Sequence, residues 1–164
     1  MTGISTGLTG GGGTYSQEMY KRVGATGAQT VTINFSGNFV QAILTSLSYC
    51  GVNQSVPNGT AATATGSSGS PTVDVSSAAG ELVIDAVGVL AGQALTAAGA
   101  GQTERINDTD GVGFFEFGSS DEAGGATVTM SWTSDDSFWM TIGVGLKPVA
   151  AATTIRHKPI RLGP

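Results

Sequence analysis

Apolar side chains alternate with polar ones over most of this chain, and no stretch carries a convincing helical period of 3.6 residues. Period-two alternation puts successive side chains on opposite faces of an extended backbone. Val31, Ile33 and Phe35 share one face, as do Val128, Met130 and Trp132, whose intervening hydroxyl residues point outward. Residues 138–146 repeat the device with Phe138, Met140, Ile142, Val144 and Leu146, and residues 72–75 are a shorter case. The runs 39–49 and 82–90 are apolar on both faces, which predicts central strands covered on both sides. Weaker strands are expected at 17–23, 60–65, 102–106 and 112–117. Gly, Ser, Asn and Asp cluster at 66–71, 107–111, 119–125 and 134–137, and these read as turns. Short strands at this spacing predict an all-β chain, a two-sheet antiparallel β-sandwich with one wet Ser/Thr face on each sheet.

The ends differ from the middle. Residues 1–14 close on a run of four glycines, Gly10 to Gly13, and read as a flexible arm. Residues 15–149 are the sandwich domain, and residues 150–164 an extended basic tail that Pro159 and Pro164 keep from regular structure. Up to residue 150 there are four basic against twelve acidic side chains, a formal −8; residues 151–164 hold three basic side chains and no acidic one, +3. An acidic body repels nucleic acid and anionic lipid, so neither is an expected partner. No apolar run is long enough for a membrane helix, and the first residues have neither the basic nor the apolar region of a secretory signal. The single Cys50 follows an apolar run and reads as a buried free thiol.

Chemistry-bearing groups are few. The only histidine, His157, lies in the tail, so no Ser/His/Asp grouping is expected, and the glycine run lacks the Lys of a phosphate loop. Asp108 and Asp110 alternate as calcium ligands do, without the third acidic position or closing Glu of an EF-hand; a simple turn explains them as well. Asp121, Glu122, Asp135 and Asp136 are further oxygen donors should their loops meet. Apart from that calcium reading, no cofactor is expected. Asp85 interrupts an apolar strand, where a carboxylate needs a partner, and Arg105 is the expected one. A glycosidase acid pair drawn from Glu81, Asp85, Glu104 and Glu116 is the weaker reading. Trp139 alternates against Met140, Ile142 and Val144. With those three inside, it points outward as a platform for a sugar ring or an assembly contact.

The order Tyr-Lys-Arg-Val at 20–23, Thr-Val-Thr-Ile at 30–33, and Ser-Tyr-Cys-Gly-Val-Asn-Gln-Ser-Val-Pro at 48–57 continues through Ala-Gly-Glu-Leu-Val-Ile-Asp at 79–85. Gly-Gln-Thr-Glu-Arg at 101–105 and Val-Thr-Met-Ser-Trp at 128–132 complete it. This resembles a jelly-roll-type β-sandwich module of large secreted bacterial proteins and of phage virion proteins, over residues 15–148. The resemblance implies an adhesive or scaffolding module without catalytic residues. With no export signal and a basic tail, the chain is expected to be a non-enzymatic structural protein of a phage particle, a capsid decoration or cement protein. It would be made in the host cytoplasm and carried on the virion surface. Its expected partners are further copies of itself, the major capsid protein or other virion proteins. Ile155, Ile160 and Leu162 are the expected apolar anchors on a neighbour, and Arg156, Lys158 and Arg161 the expected charged contacts. The alternative is a carbohydrate-binding or adhesion module, with a glycan on Trp139.

Overall fold

The computed structural model of the chain describes residues 2–10, 15–21, 24, 27, 30, 32, 42–67, 69–90, 95–111, 115–134, 138–150 and 155–157, with backbone only at 5–10 and 15–16. These residues are all-β, and no helix occurs among them. Val31, Ile33 and Phe35 of the expected strand, and the acidic residues Asp135 and Asp136, lie outside them.

Five strands form the larger sheet, in the order β4 (Ala62–Gly66), β11 (Trp139–Leu146), β6 (Leu82–Leu90), β9 (Phe115–Ala123) and β8 (Thr103–Thr109). Three form the smaller: β5 (Thr72–Ser76), β10 (Thr127–Thr133) and β7 (Thr96–Ala97). All the pairings are antiparallel. A turn from Ala78 to Glu81 launches β6. Glu81 N–H donates to the Ala78 carbonyl at 3.0 Å, and Gly80 takes the φ of +87° that the third position of a type II turn requires.

The sheets pack face to face in a β-sandwich-like arrangement. Val83 of the larger sheet sits with Val73, Val75, Val128 and Met130 of the smaller, and Val87 and Val89 sit with Trp132 and Leu95. The predicted inward set of β10 is therefore inward, with its hydroxyl residues toward solvent or half-buried. Three glycines of the larger sheet make room for this contact. A Cβ at Gly118 would lie 2.6 Å from the Trp132 ring, one at Gly66 2.5 Å from Trp139, and one at Gly143 2.4 Å from Val75. Those separations are below van der Waals contact, so a larger residue at Gly118 or Gly143 pushes the sheets apart, and one at Gly66 displaces Trp139 of the neighbouring strand.

The wet outer face expected of every sheet is absent from the middle of the larger one, though Thr63 and Thr65 on its β4 edge stay exposed. Every residue of β11 is buried, because the sheet is covered on both sides. On its outer face Ile84, Val144, Leu146 and Ile155 form a separate core cluster, against which Ile4, Met19, Tyr49 and Val52 pack. Two ribbons bring those residues there. β1 (Thr2–Gly10) pairs with β2 (Tyr15–Lys21), and β3 (Tyr49–Cys50) pairs with β12 (Arg156–His157). Where glycine content predicts a free N-terminal arm, residues 2–10 are a strand bonded to the next segment of their own chain.

Two more expectations are corrected. Residues 42–48 form no strand, and Ala42 to Ser46 are exposed. Residues 119–123 do not turn but continue β9 through the sheet, with Ser119, Ser120 and Asp121 buried. Partners found across the sheet outweigh the turn preference of Ser and Asp.

Candidate functional site

Asp85 stands at the middle of β6 on the face turned toward the smaller sheet, and is 1% exposed. Register sets it opposite Ser120 of β9. Ser120 donates twice to Asp85 Oδ1, from its backbone N–H at 2.8 Å and its hydroxyl at 2.6 Å. Trp132 reaches across from the smaller sheet and donates its indole Nε1–H to Oδ2 at 2.6 Å. Gln102 Nε2 donates to the Ser120 hydroxyl at 2.7 Å, and Gln102 Oε1 accepts from Ser131 N–H at 3.0 Å. A polar chain thus ties β8, β9 and β6 to β10 through the sandwich interior. Burial pushes the Asp85 carboxyl up to about 6, against the pull of the Ser120 and Trp132 hydrogen bonds; the neighbouring Asp121 charge adds to the rise.

The expected Asp85–Arg105 pair does not form. Arg105 interrupts the β8–β9 register between Glu104 and Ile106, and at this bulge it meets Asp121, which lies on the other face of β9 from Ser120. The contact is bidentate: Nε to Oδ2 at 2.6 Å and Nη2 to Oδ1 at 2.7 Å. Asp121 is nearly buried, at 4% for its side chain, while Arg105 keeps 29%. The Tyr49 hydroxyl donates to Asp121 Oδ2 at 3.4 Å, and burial followed by the Asp121 charge pushes the phenol up. Asp121 is thereby held by Arg105 and Tyr49.

Asp108 Oδ1 accepts the N–H of Thr109 at 2.8 Å, and Thr109 Oγ1 accepts that of Gly111 at 3.1 Å, but the turn expected over 107–111 is corrected: residues 107–109 continue β8 opposite β9, and the chain bends only at Gly111. Glu116 is buried nearby, and burial, then the charges of Asp110 and Asp108, raise its carboxyl. Among the described residues no group of three His, Cys, Asp or Glu side chains is arranged to hold a metal ion.

Trp139 is not an outward platform. It does lie on the opposite face from Met140, Ile142 and Val144, as the alternation requires, but that face is the sandwich interior. It is 7% exposed, packed with Trp132, Val87 and Val89. Ile155 is likewise no anchor for a neighbour, since it is 7% exposed within its own chain's outer cluster. Arg156 is exposed and pairs through its backbone with Cys50; His157 meets Tyr49 edge-on, with centroids 5.6 Å apart. Cys50, expected in the core, is exposed on this ribbon. Lys158, Ile160, Arg161 and Leu162 lie outside the described residues.

The sequence singles out Asp85 and Trp132 separately, offers Asp121 as an oxygen donor and Tyr49 as a stacking surface rather than as partners of Arg105 and of each other, and gives no sign of Ser120 or Gln102. The usable signal was an aspartate and an indole N–H both predicted inward, an acceptor and a donor that each need a partner. Comparison with protein-family models, with curated proteins and with solved structures finds no match to this chain.

Proposed function

We propose that the chain is a non-enzymatic structural protein of a phage particle, a decoration, cement or related virion component. The observation that supports this reading best is the fate of its buried aspartates. Asp85 is enclosed between two sheets by Ser120 and Trp132, and Asp121 is locked by Arg105. Both carboxylates hold strands to strands, and neither is aimed at a cleft where a substrate would sit. The inward Trp139 also removes the platform on which a carbohydrate-binding reading rested. The jelly-roll-type winding, and contacts to neighbouring virion subunits made by Arg156, Lys158, Ile160, Arg161 and Leu162, belong to the same proposal.

The test is the protein content of particles released by lysis of the bacterium that carries the gene. Quantitative mass spectrometry of banded particles is expected to find this chain at the copy number of a structural protein. Its restriction to the particle-free lysate would overturn the proposal, and hits on a glycan array at that point would favour the adhesion module.

A further inference from the structure

The two outermost strands of the larger sheet are built differently. β8 carries Glu104, Arg105 and Asp108 and a bulge at Arg105, devices that keep an edge from accepting another strand. β4, Ala-Thr-Ala-Thr-Gly, carries no charge, no proline and no break in its register with β11. Its outer backbone groups can be assigned. The Gly145 carbonyl accepts Gly59 N–H and Lys147 N–H donates to the Pro57 carbonyl, so odd-numbered residues of β11 turn their backbone toward β4. Register couples those residues to Ala62, Ala64 and Gly66. Thr63 and Thr65 therefore direct their N–H and C=O groups away from the sheet, and both residues are exposed.

The sequence leading into this edge carries no charge of its own, though Lys21 of β2 reaches Asn58 beside it. From residue 23 to residue 73 no Asp, Glu, Lys, Arg or His occurs, a run of 51 residues in a chain that is 12% charged. Among the described residues, three of the four exposed large hydrophobic ones, Ile43, Leu44 and Val56, fall within that run. Val56 belongs to the segment 51–59 that continues the β4 side of β11, held by Asn53 N–H on the Lys147 carbonyl and Val149 N–H on the Gly51 carbonyl. Depletion of charge with exposed apolar side chains marks the centre of protein–protein contacts.

We propose that two copies of this chain join edge to edge through β4, antiparallel about a two-fold axis at Ala64. The strand is self-complementary in that register. Ala64 faces its own copy, Ala62 faces Gly66, and Thr63 faces Thr65, each threonine pair exchanging both N–H···O=C bonds and setting hydroxyl beside hydroxyl. An uncharged strand meets no like charge across the axis, whereas β8 would set charged side chains against those of its copy. The pairing stands apart from the particle reading, since dimerisation in solution decides one and particle content the other.

Sedimentation equilibrium of the full chain over a micromolar concentration series tests it. The wild type is expected to dimerise. T63K/T65K, which opposes like charges at both threonine pairs, is expected to raise the dissociation constant roughly tenfold or more. T63K/T65E opposes unlike charges and is expected to restore it, and T103K on the far edge is expected to leave it unchanged. Thermal unfolding confirms that each variant is folded. T65P serves as a second disrupting variant, because it deletes an N–H that β11 does not use. A wild type monomeric throughout the series, a T63K/T65K or T65P variant that dimerises like wild type, or a T63K/T65E variant as weak as T63K/T65K overturns the proposal.

Discussion

Asp85 accepts hydrogen bonds from Ser120 and Trp132 in a site with almost no access to water. The bonds favour the carboxylate and the burial disfavours it, and burial prevails. A carboxyl that titrates near 6 in the fold and near 3.8 unfolded favours the fold fully below the lower value. That contribution is lost as pH rises through the upper value. The stability of the wild type is therefore expected to fall by roughly 2–3 kcal/mol from this group between about pH 4 and pH 7, most of it below the upper value. D85N cannot titrate. It is expected to be less stable at every pH, because its amide N–H₂ meets a donor on one side or the other, yet to show a shallower slope. Glu116, shifted in the same sense, accounts for part of what remains. Urea titrations of both proteins across that range check the difference in slope.

At the level of strands, the bulge in β8 explains why Arg105 serves Asp121 and not Asp85. One extra residue turns a side chain that regular pairing would place elsewhere. Asp121 has little solvent to fall back on once the guanidinium is gone. R105A is expected to cost about 1–2 kcal/mol in chemical denaturation, since the buried Asp121 loses its partner while Arg105 itself is partly exposed. R105K is expected to recover only part of the loss, because an ammonium does not reproduce the two-pronged contact. Strand β9 shows the same dependence on neighbours. Its Gly-Ser-Ser-Asp-Glu stretch carries turn residues, and it is a strand because Ser119 donates to the Asp85 carbonyl, Ser120 to its carboxylate, and Asp121 is held by Arg105. None of these partners is within ten residues of β9's polar stretch, so no local window contains the reason. Residues 42–46 are the converse, an apolar run that predicts a strand but stays exposed.

Across the whole molecule, the larger sheet is the middle of three layers, with the smaller sheet on one side and two ribbons, from the N-terminal residues and from residues 49–50 with the C-terminal segment, on the other. Ile155 is part of that outer layer, so the C-terminal segment divides in two. Deleting residues 150–164 removes Ile155 and β12 and is expected to lower Tm by roughly 5–10 °C, the cost of one lost core side chain and its cavity. Deleting residues 158–164 keeps both and is expected to lower Tm by less. Differential scanning calorimetry of the two truncations separates the outcomes; equal Tm values would mean that Ile155 adds nothing to the outer cluster.

Alternation, turn composition and the lack of a helical period were enough by themselves to determine an all-β chain, to place β5, β6, β10 and β11, and to point Val128, Met130 and Trp132 inward. Those features depend on the two-residue repeat of a strand, which is local. The tertiary structure alone decided which face of β11 meets solvent, and the answer is neither. It also decided which cation serves which carboxylate, and whether Ile155 and Trp139 are displayed or enclosed. Alternation says that two faces differ. What covers a face comes from segments up to about 150 residues away along this chain, such as Ile4 and Ile155 in one cluster, and only the folded arrangement brings them together.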